Sequence, residues 1–86
     1  MPGKLTIEIE YCHPCDYLPE ATRMGQELLS EFGLKVAELR LVPSGGGRFE
    51  VSLNGKLLHS KHESGQFPSS RLVIDKIKEQ LQAGAV

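Results

Sequence analysis

Ile7-Glu8-Ile9-Glu10-Tyr11-Cys12-His13-Pro14-Cys15-Asp16 holds both cysteines of the chain at C-x-x-C spacing, directly after a run of alternating character. Traced back to Lys4, that run sets Lys4, Thr6, Glu8 and Glu10 against Leu5, Ile7, Ile9 and Tyr11, the period of a half-buried strand ending at about Tyr11. Beyond Asp16 the apolar period lengthens toward 3.6, with Tyr17, Ala21, Met24, Leu28 and Phe32 on one face, so a helix leaves the motif. A pair of thiols thus lies between a strand end and a helix N-terminus. The thiolate is the reactive form of cysteine, and the unpaired N–H groups of a helix start favour it.

Three uses of the pair compete. A structural disulfide across two intervening residues closes a very small loop and stabilises a fold little. A structural zinc wants four ligands, and His13, His59 and His62 do not complete a finger spacing with the two cysteines. A reversible dithiol is the use that C-x-x-C next to a strand-helix-strand pattern favours.

Working outward, Pro19 belongs at the start of the helix, where proline is tolerated, so a late start or a bend is expected there. Gly33 suits the position just past the helix end. Leu34 to Val42 alternates imperfectly, with a second strand expected in its later part, and Pro43-Ser44-Gly45-Gly46-Gly47 reads as a loop. Phe49 to Leu53 alternates strictly, Asn54-Gly55 is a hairpin turn, and Lys56 to His59 returns as the fourth strand. After the break at Ser64 to Pro68, a helix from Ser69 or Ser70 carries Leu72, Val73, Ile74, Ile77 and Leu81 inward, before the Ala-Gly-Ala-Val tail frays. Met1 to Gly3 is a short lead.

The order βαβββα predicts an α/β fold of thioredoxin-like type: a four-stranded mixed sheet with two helices, the first strand central and parallel to the second. In that topology the first, second and fourth strands end on one edge. The Cys12–Cys15, Pro43–Gly47 and Lys61–Pro68 loops should converge there, with the Asn54-Gly55 turn at the opposite end. Eighty-six residues form one domain spanning 1–86, too short to divide into two cores. With 40% hydrophobic and 24% charged residues the composition is globular, and a formal net charge of -1 gives no general attraction to nucleic acid. Apolar runs are too short to cross a bilayer, and no apolar segment follows a basic N-terminal patch. A cytoplasmic protein is therefore expected, without nucleic-acid or membrane partners, and there C-x-x-C is more often catalytic or metal-binding than structural.

At this point the chain resembles the selenoprotein W, T and H (Rdx) family of thioredoxin-like redox proteins. The resemblance rests on Tyr11-Cys12-His13-Pro14-Cys15, on Gln26-Glu27-Leu28-Leu29-Ser30-Glu31-Phe32 and on Leu41-Val42-Pro43. It continues in Gly47-Arg48-Phe49-Glu50-Val51, Asn54-Gly55, Ser60-Lys61 and Gly65-Gln66-Phe67-Pro68. Several members carry selenocysteine where this chain has Cys15, so it looks like a cysteine-containing, bacterial-type selenoprotein W homologue. The resemblance implies a thiol redox role, linked to glutathione or to protein thiols and disulfides, with no cofactor. Thioredoxins place a cis-proline beside the dithiol; Pro43, separated from the third strand by glycines, is not given that role.

Cys12 and Cys15 are the candidate catalytic residues. Helix-end geometry and thioredoxin logic favour Cys12 as attacker, exposed at the strand end, with Cys15 more enclosed; the selenocysteine analogy favours Cys15. Protonated His13 could favour a neighbouring thiolate or be an exposed loop histidine, and Pro14 stiffens the loop. Tyr11 and Tyr17 read first as packing residues. Gly65, Phe67 and Pro68 are a candidate partner surface beside the dithiol, Phe67 serving either helix entry or docking. Two functions are in competition: a thiol-disulfide oxidoreductase, and a redox-regulated protein-binding module without turnover.

Overall fold

The computed structural model describes residues 4–84. The expected lead at residues 1–3 and the last two residues of the expected fraying tail lie outside them. Strand β1 (Leu5–Cys12) is followed by helix α1 (Leu18–Phe32), a 3-10 turn (Gly33–Lys35), and strands β2 (Val36–Ser44), β3 (Phe49–Leu53) and β4 (Lys56–Ser60). A one-turn helix α2 (Lys61–Ser64) and helix α3 (Ser70–Gln82) complete the order. The four strands form one mixed sheet in the order β2-β1-β3-β4, with β1 parallel to β2 and antiparallel to β3. This is the sheet that the alternation and the Asn54-Gly55 signal imply.

Each strand of the central pair buries every second side chain. Leu5, Ile7, Ile9 and Tyr11 of β1 and Phe49, Val51 and Leu53 of β3 face the helices. Ala21, Met24, Leu28 and Phe32 of α1 and Val73 and Ile77 of α3 meet them in a single core. Burial of each large aliphatic or aromatic side chain contributes about 1.5–3 kcal/mol, which is why the strand period and the helix period dictate this layer. The helices are also joined directly: the Ser70 hydroxyl donates to Glu27 at 2.6 Å, and Lys78 pairs with Glu31 at 3.1 Å. The other sheet face carries half-buried Thr6, Glu8 and Glu10, with Arg40 against Glu38 at 2.9 Å and Glu8 at 3.9 Å.

The structure departs from the sequence expectations in four places. β1 runs on through Cys12. β2 takes in Pro43 and Ser44, expected as loop, because the Ser44 carbonyl accepts from the His13 N–H at 2.8 Å. With Ser44 turned toward β1, Pro43 turns its nitrogen to the open edge, where a missing N–H breaks no ladder bond. The expected break after β4 opens with α2, whose Glu63 N–H is capped by the Ser60 hydroxyl at 3.1 Å. Leu72, assigned inward, is 38% exposed, whereas Val73 and Ile77 carry the buried stripe of α3. Pro19 is the second residue of a helix that starts late, at Leu18, as its constraints require.

Candidate functional site

Cys12 and Cys15 are joined as a disulfide with their Cα atoms 5.3 Å apart. The loop between them has a definite architecture. The Asp16 N–H donates to the His13 carbonyl at 3.0 Å and the Tyr17 N–H to the Cys12 carbonyl at 3.2 Å, while Asp16 has a φ of 62°. That nested pair of bonds around a left-handed residue is the paperclip that usually ends helices; here it folds Cys12 to Tyr17 into a closed turn before α1 begins. Aspartate is among the few side chains that enter the left-handed region readily, so the residue after the motif suits its place. The loop is pinned from both sides: the Cys12 N–H donates to the Arg48 carbonyl at 2.8 Å, and the His13 N–H to Ser44.

The burial of the two sulfur-bearing residues reverses the expectation. Cys12 is 1% exposed, and Cys15 stands exposed on the turn with His13 and Pro14. The physical reason is that Cys12 is still part of β1, hydrogen-bonded between the ends of β2 and β3, while Cys15 lies beyond the strand and ahead of the helix. Nor does α1 begin at the second cysteine; Asp16 and Tyr17 intervene, and Tyr17 occupies the cap position. Tyr11 is buried in the core, which is the packing role read for it.

The three expected loops do converge. Ser44 and Arg48 touch the motif through their carbonyls, and the segment after β4 reaches it through aromatic contacts. Phe67 sets its ring edge-on to Tyr17 at 4.7 Å and to Phe49 at 5.3 Å, and is 41% exposed. The Lys61 ammonium lies 5.4 Å from the Tyr17 ring centre and 5.2 Å from that of Phe67. Gly65 ends α2 in the left-handed conformation and is exposed. Pro68, offered as part of a partner surface, is instead buried where the chain turns into the Ser69 cap of α3. Phe67 and Pro68 form one wall of a cleft of about 380 Å³ whose other side is Glu20, Arg23 and Met24 of α1.

Glu50 organises this corner from the opposite sheet face. Its carboxylate accepts from the Ser60 hydroxyl at 2.5 Å and from the His62 N–H at 3.4 Å, holding the β4–α2 junction that carries Lys61. Partial burial works to raise its pKa, but the Ser60 hydroxyl and the backbone N–H groups of His62, Lys61 and Phe49 outweigh it and hold the pKa below the ordinary value. His59, considered as a metal ligand, is tied by Nε2 to the Gln66 carbonyl at 3.0 Å and the Ser64 hydroxyl at 3.2 Å. Sequence reasoning passed over Lys61 and Asp16. Lys61 carried no signal in its own period, while Asp16 carried one: an aspartate closing a tight turn.

Comparison with known proteins places this geometry. The Rdx family model matches residues 6–79. Migration and invasion enhancer 1 of Bos taurus is 34% identical over 79 residues, covering 90% of this chain and 66% of that protein. The Mus musculus protein of the same name is 34% identical over 73 residues, covering 84% and 61%. The chain thus spans a little under two thirds of the length of the curated relatives it matches. A solved Bordetella parapertussis protein superposes with a TM-score of 0.85 at 36% identity, covering 90% of this chain and 98% of its own. A selenoprotein W-related protein from Vibrio cholerae gives 0.85 at 32%, covering 88% and 95%. Matched along most of its length in sequence and in backbone, and carrying its cysteine pair at the end of the central strand, this chain belongs to the Rdx family and has the thioredoxin-like fold of its selenoprotein W-related members.

Proposed function

We propose that the protein exchanges thiols and disulfides through Cys15, with Cys12 as the resolving partner. The observation that carries this is the asymmetry of burial: 1% exposure at Cys12 against an exposed Cys15. Attack requires access to the sulfur as well as thiolate character, so an outside molecule meets Cys15. In the reduced protein the Cys15 thiolate attacks one sulfur of a substrate disulfide, forming a mixed disulfide and releasing the first substrate thiolate. Cys12, as thiolate, then attacks the Cys15 sulfur and releases the second. Two electrons pass to the substrate and the Cys12–Cys15 disulfide is formed; the reverse sequence oxidises two substrate thiols. Glutathione and protein thiols are the substrate class, and the setting is cell redox balance.

A second reading, a redox-regulated binding module, draws support from the Tyr17–Phe67–Lys61 cluster. Tyr17 is bonded through its N–H to Cys12, so opening the disulfide loop acts directly on a half-open aromatic surface. Turnover separates the two readings.

The test is alkylation of the reduced protein as a function of pH in Cys12→Ser and Cys15→Ser variants. The Cys12→Ser variant is expected to label rapidly at neutral pH and to trap a mixed disulfide with oxidised glutathione, because its remaining thiol is the exposed one. The Cys15→Ser variant is expected to label slowly while it stays folded. Faster labelling at Cys12 would reverse the assignment, and ordinary reactivity at both would leave the binding module as the better account.

A further inference from the structure

β2 is an open sheet edge, and the bonds made at its end define which of its backbone groups are free. The Ser44 carbonyl faces β1, so along the strand Ser44, Val42 and Arg40 turn their backbone inward, while Pro43, Leu41 and Leu39 turn theirs outward. Leu39 and Leu41 therefore present unpaired N–H and C=O groups on the edge. Their side chains point the other way round the pleat, toward the helix layer. There, with Gly25, Gln26 and Leu29 of α1, they line a groove of about 470 Å³. Leu29 is 44% exposed, and Gly25 lies so near Leu39 that a methyl group there would meet its Cδ2 at 2.8 Å. An unpaired edge beside an apolar groove is a strand-docking arrangement that proteins ordinarily block or use.

We infer that β2 pairs antiparallel with β2 of a second copy about a two-fold axis at Leu39. The charge pattern selects this occupant and this register. Glu38 and Arg40 flank Leu39 on the open sheet face, so pairing about Leu39 sets Glu38 of each copy opposite Arg40 of the other. The strand is its own electrostatic complement, as an isologous interface requires. Pro43 falls toward the end of the paired segment, clear of the central bonds at Leu39 and Leu41. The same axis brings the two α1 helices side by side, covering Leu29 and the groove. Two four-stranded sheets become one continuous sheet, and the two cysteine pairs lie toward opposite ends of the joined strands.

Charge variants of these exposed residues test the pairing without touching the core, with circular dichroism to verify the fold. Sedimentation equilibrium of the wild type should show a concentration-dependent dimer. Glu38→Arg and Arg40→Glu, each alone, set like charges opposite one another twice, and each should raise the dimer dissociation constant about tenfold or more. An equimolar mixture of the two variants restores both attractive pairs and should form a one-to-one heterodimer of about wild-type strength. A wild type that stays monomeric at millimolar concentration would overturn the inference, as would a dimer indifferent to both single substitutions.

Discussion

Asp16 and Glu50 show how much of the site depends on single residues that carry no sulfur. Asp16 closes the dithiol turn with a φ of 62°. Glycine adopts that conformation freely and a β-branched residue does not, so Asp16→Val is expected to be less stable than Asp16→Gly by about 1–2 kcal/mol. Urea unfolding of the two oxidised variants measures it, and equal midpoints would contradict the turn. Glu50 stands below its ordinary pKa because the hydroxyl of Ser60 and nearby N–H groups bind its charged form more strongly than partial burial penalises it. With the folded value below the unfolded one, the unfolded chain takes up the proton first as the pH falls. The contribution is whole above the ordinary glutamate range and is lost as the pH drops through the depressed folded value. Wild type should therefore lose more stability than Glu50→Gln between neutral pH and pH about 3, as read from chemical denaturation at each pH.

At the scale of elements, the hairpin and the dithiol loop lie at opposite ends of β1 and answer to different forces. Asn54 and Gly55 have φ values of 50° and 85°, the signature of a two-residue turn that matches strand twist. Asn54 adds tertiary bonds: its Oδ1 accepts from the Thr6 N–H at 2.8 Å, and its N–H donates to the Thr6 carbonyl at 2.8 Å. Asn54→Ala and Gly55→Ala are each expected to cost about 1 kcal/mol or more, Asn54→Ala through the lost side-chain bond to the Thr6 N–H and both through the left-handed φ. Neither should change the alkylation rate of reduced Cys15, since the turn touches the start of β1 and the cysteines lie at its end. A changed rate at unchanged stability would show that the two ends communicate through the strand.

For the whole molecule, one helix layer on one sheet face means that stability concentrates in β1. Of the two strands with neighbours on both sides, β1 is the longer, eight residues against five in β3, and carries the longer buried stripe. Native-state hydrogen exchange should find the N–H groups of Ile7, Ile9 and Tyr11, which point to β2, and of Glu8 and Glu10, which point to β3, among the slowest. The outward-facing N–H groups of Leu39 and Leu41 should exchange fast in dilute solution and slow as concentration rises, if copies pair through that edge. Among the described residues no helix is long and apolar enough to cross a membrane, in keeping with a core this small and a sheet face this polar.

The alternation from Leu5 to Tyr11, the helix period from Ala21 to Phe32 and the Asn54-Gly55 pair each report a local demand on side chains or backbone. Such demands are written within a few residues of where they act, so strand order, parallel pairing and the convergence of three loops could be read from them. The order of the two cysteines could not. Whether Cys12 or Cys15 meets solvent depends on where β1 stops, and it stops where Ser44 and Arg48, more than thirty positions along the chain, offer carbonyls to it. The same holds for Pro43, drawn into β2 by that bond, for Pro68, buried by the turn into α3, and for Lys61, set over Tyr17 and Phe67 by a carboxylate on β3. Local periodicity specifies elements; exposure and contact belong to chain segments that meet only once the fold is closed.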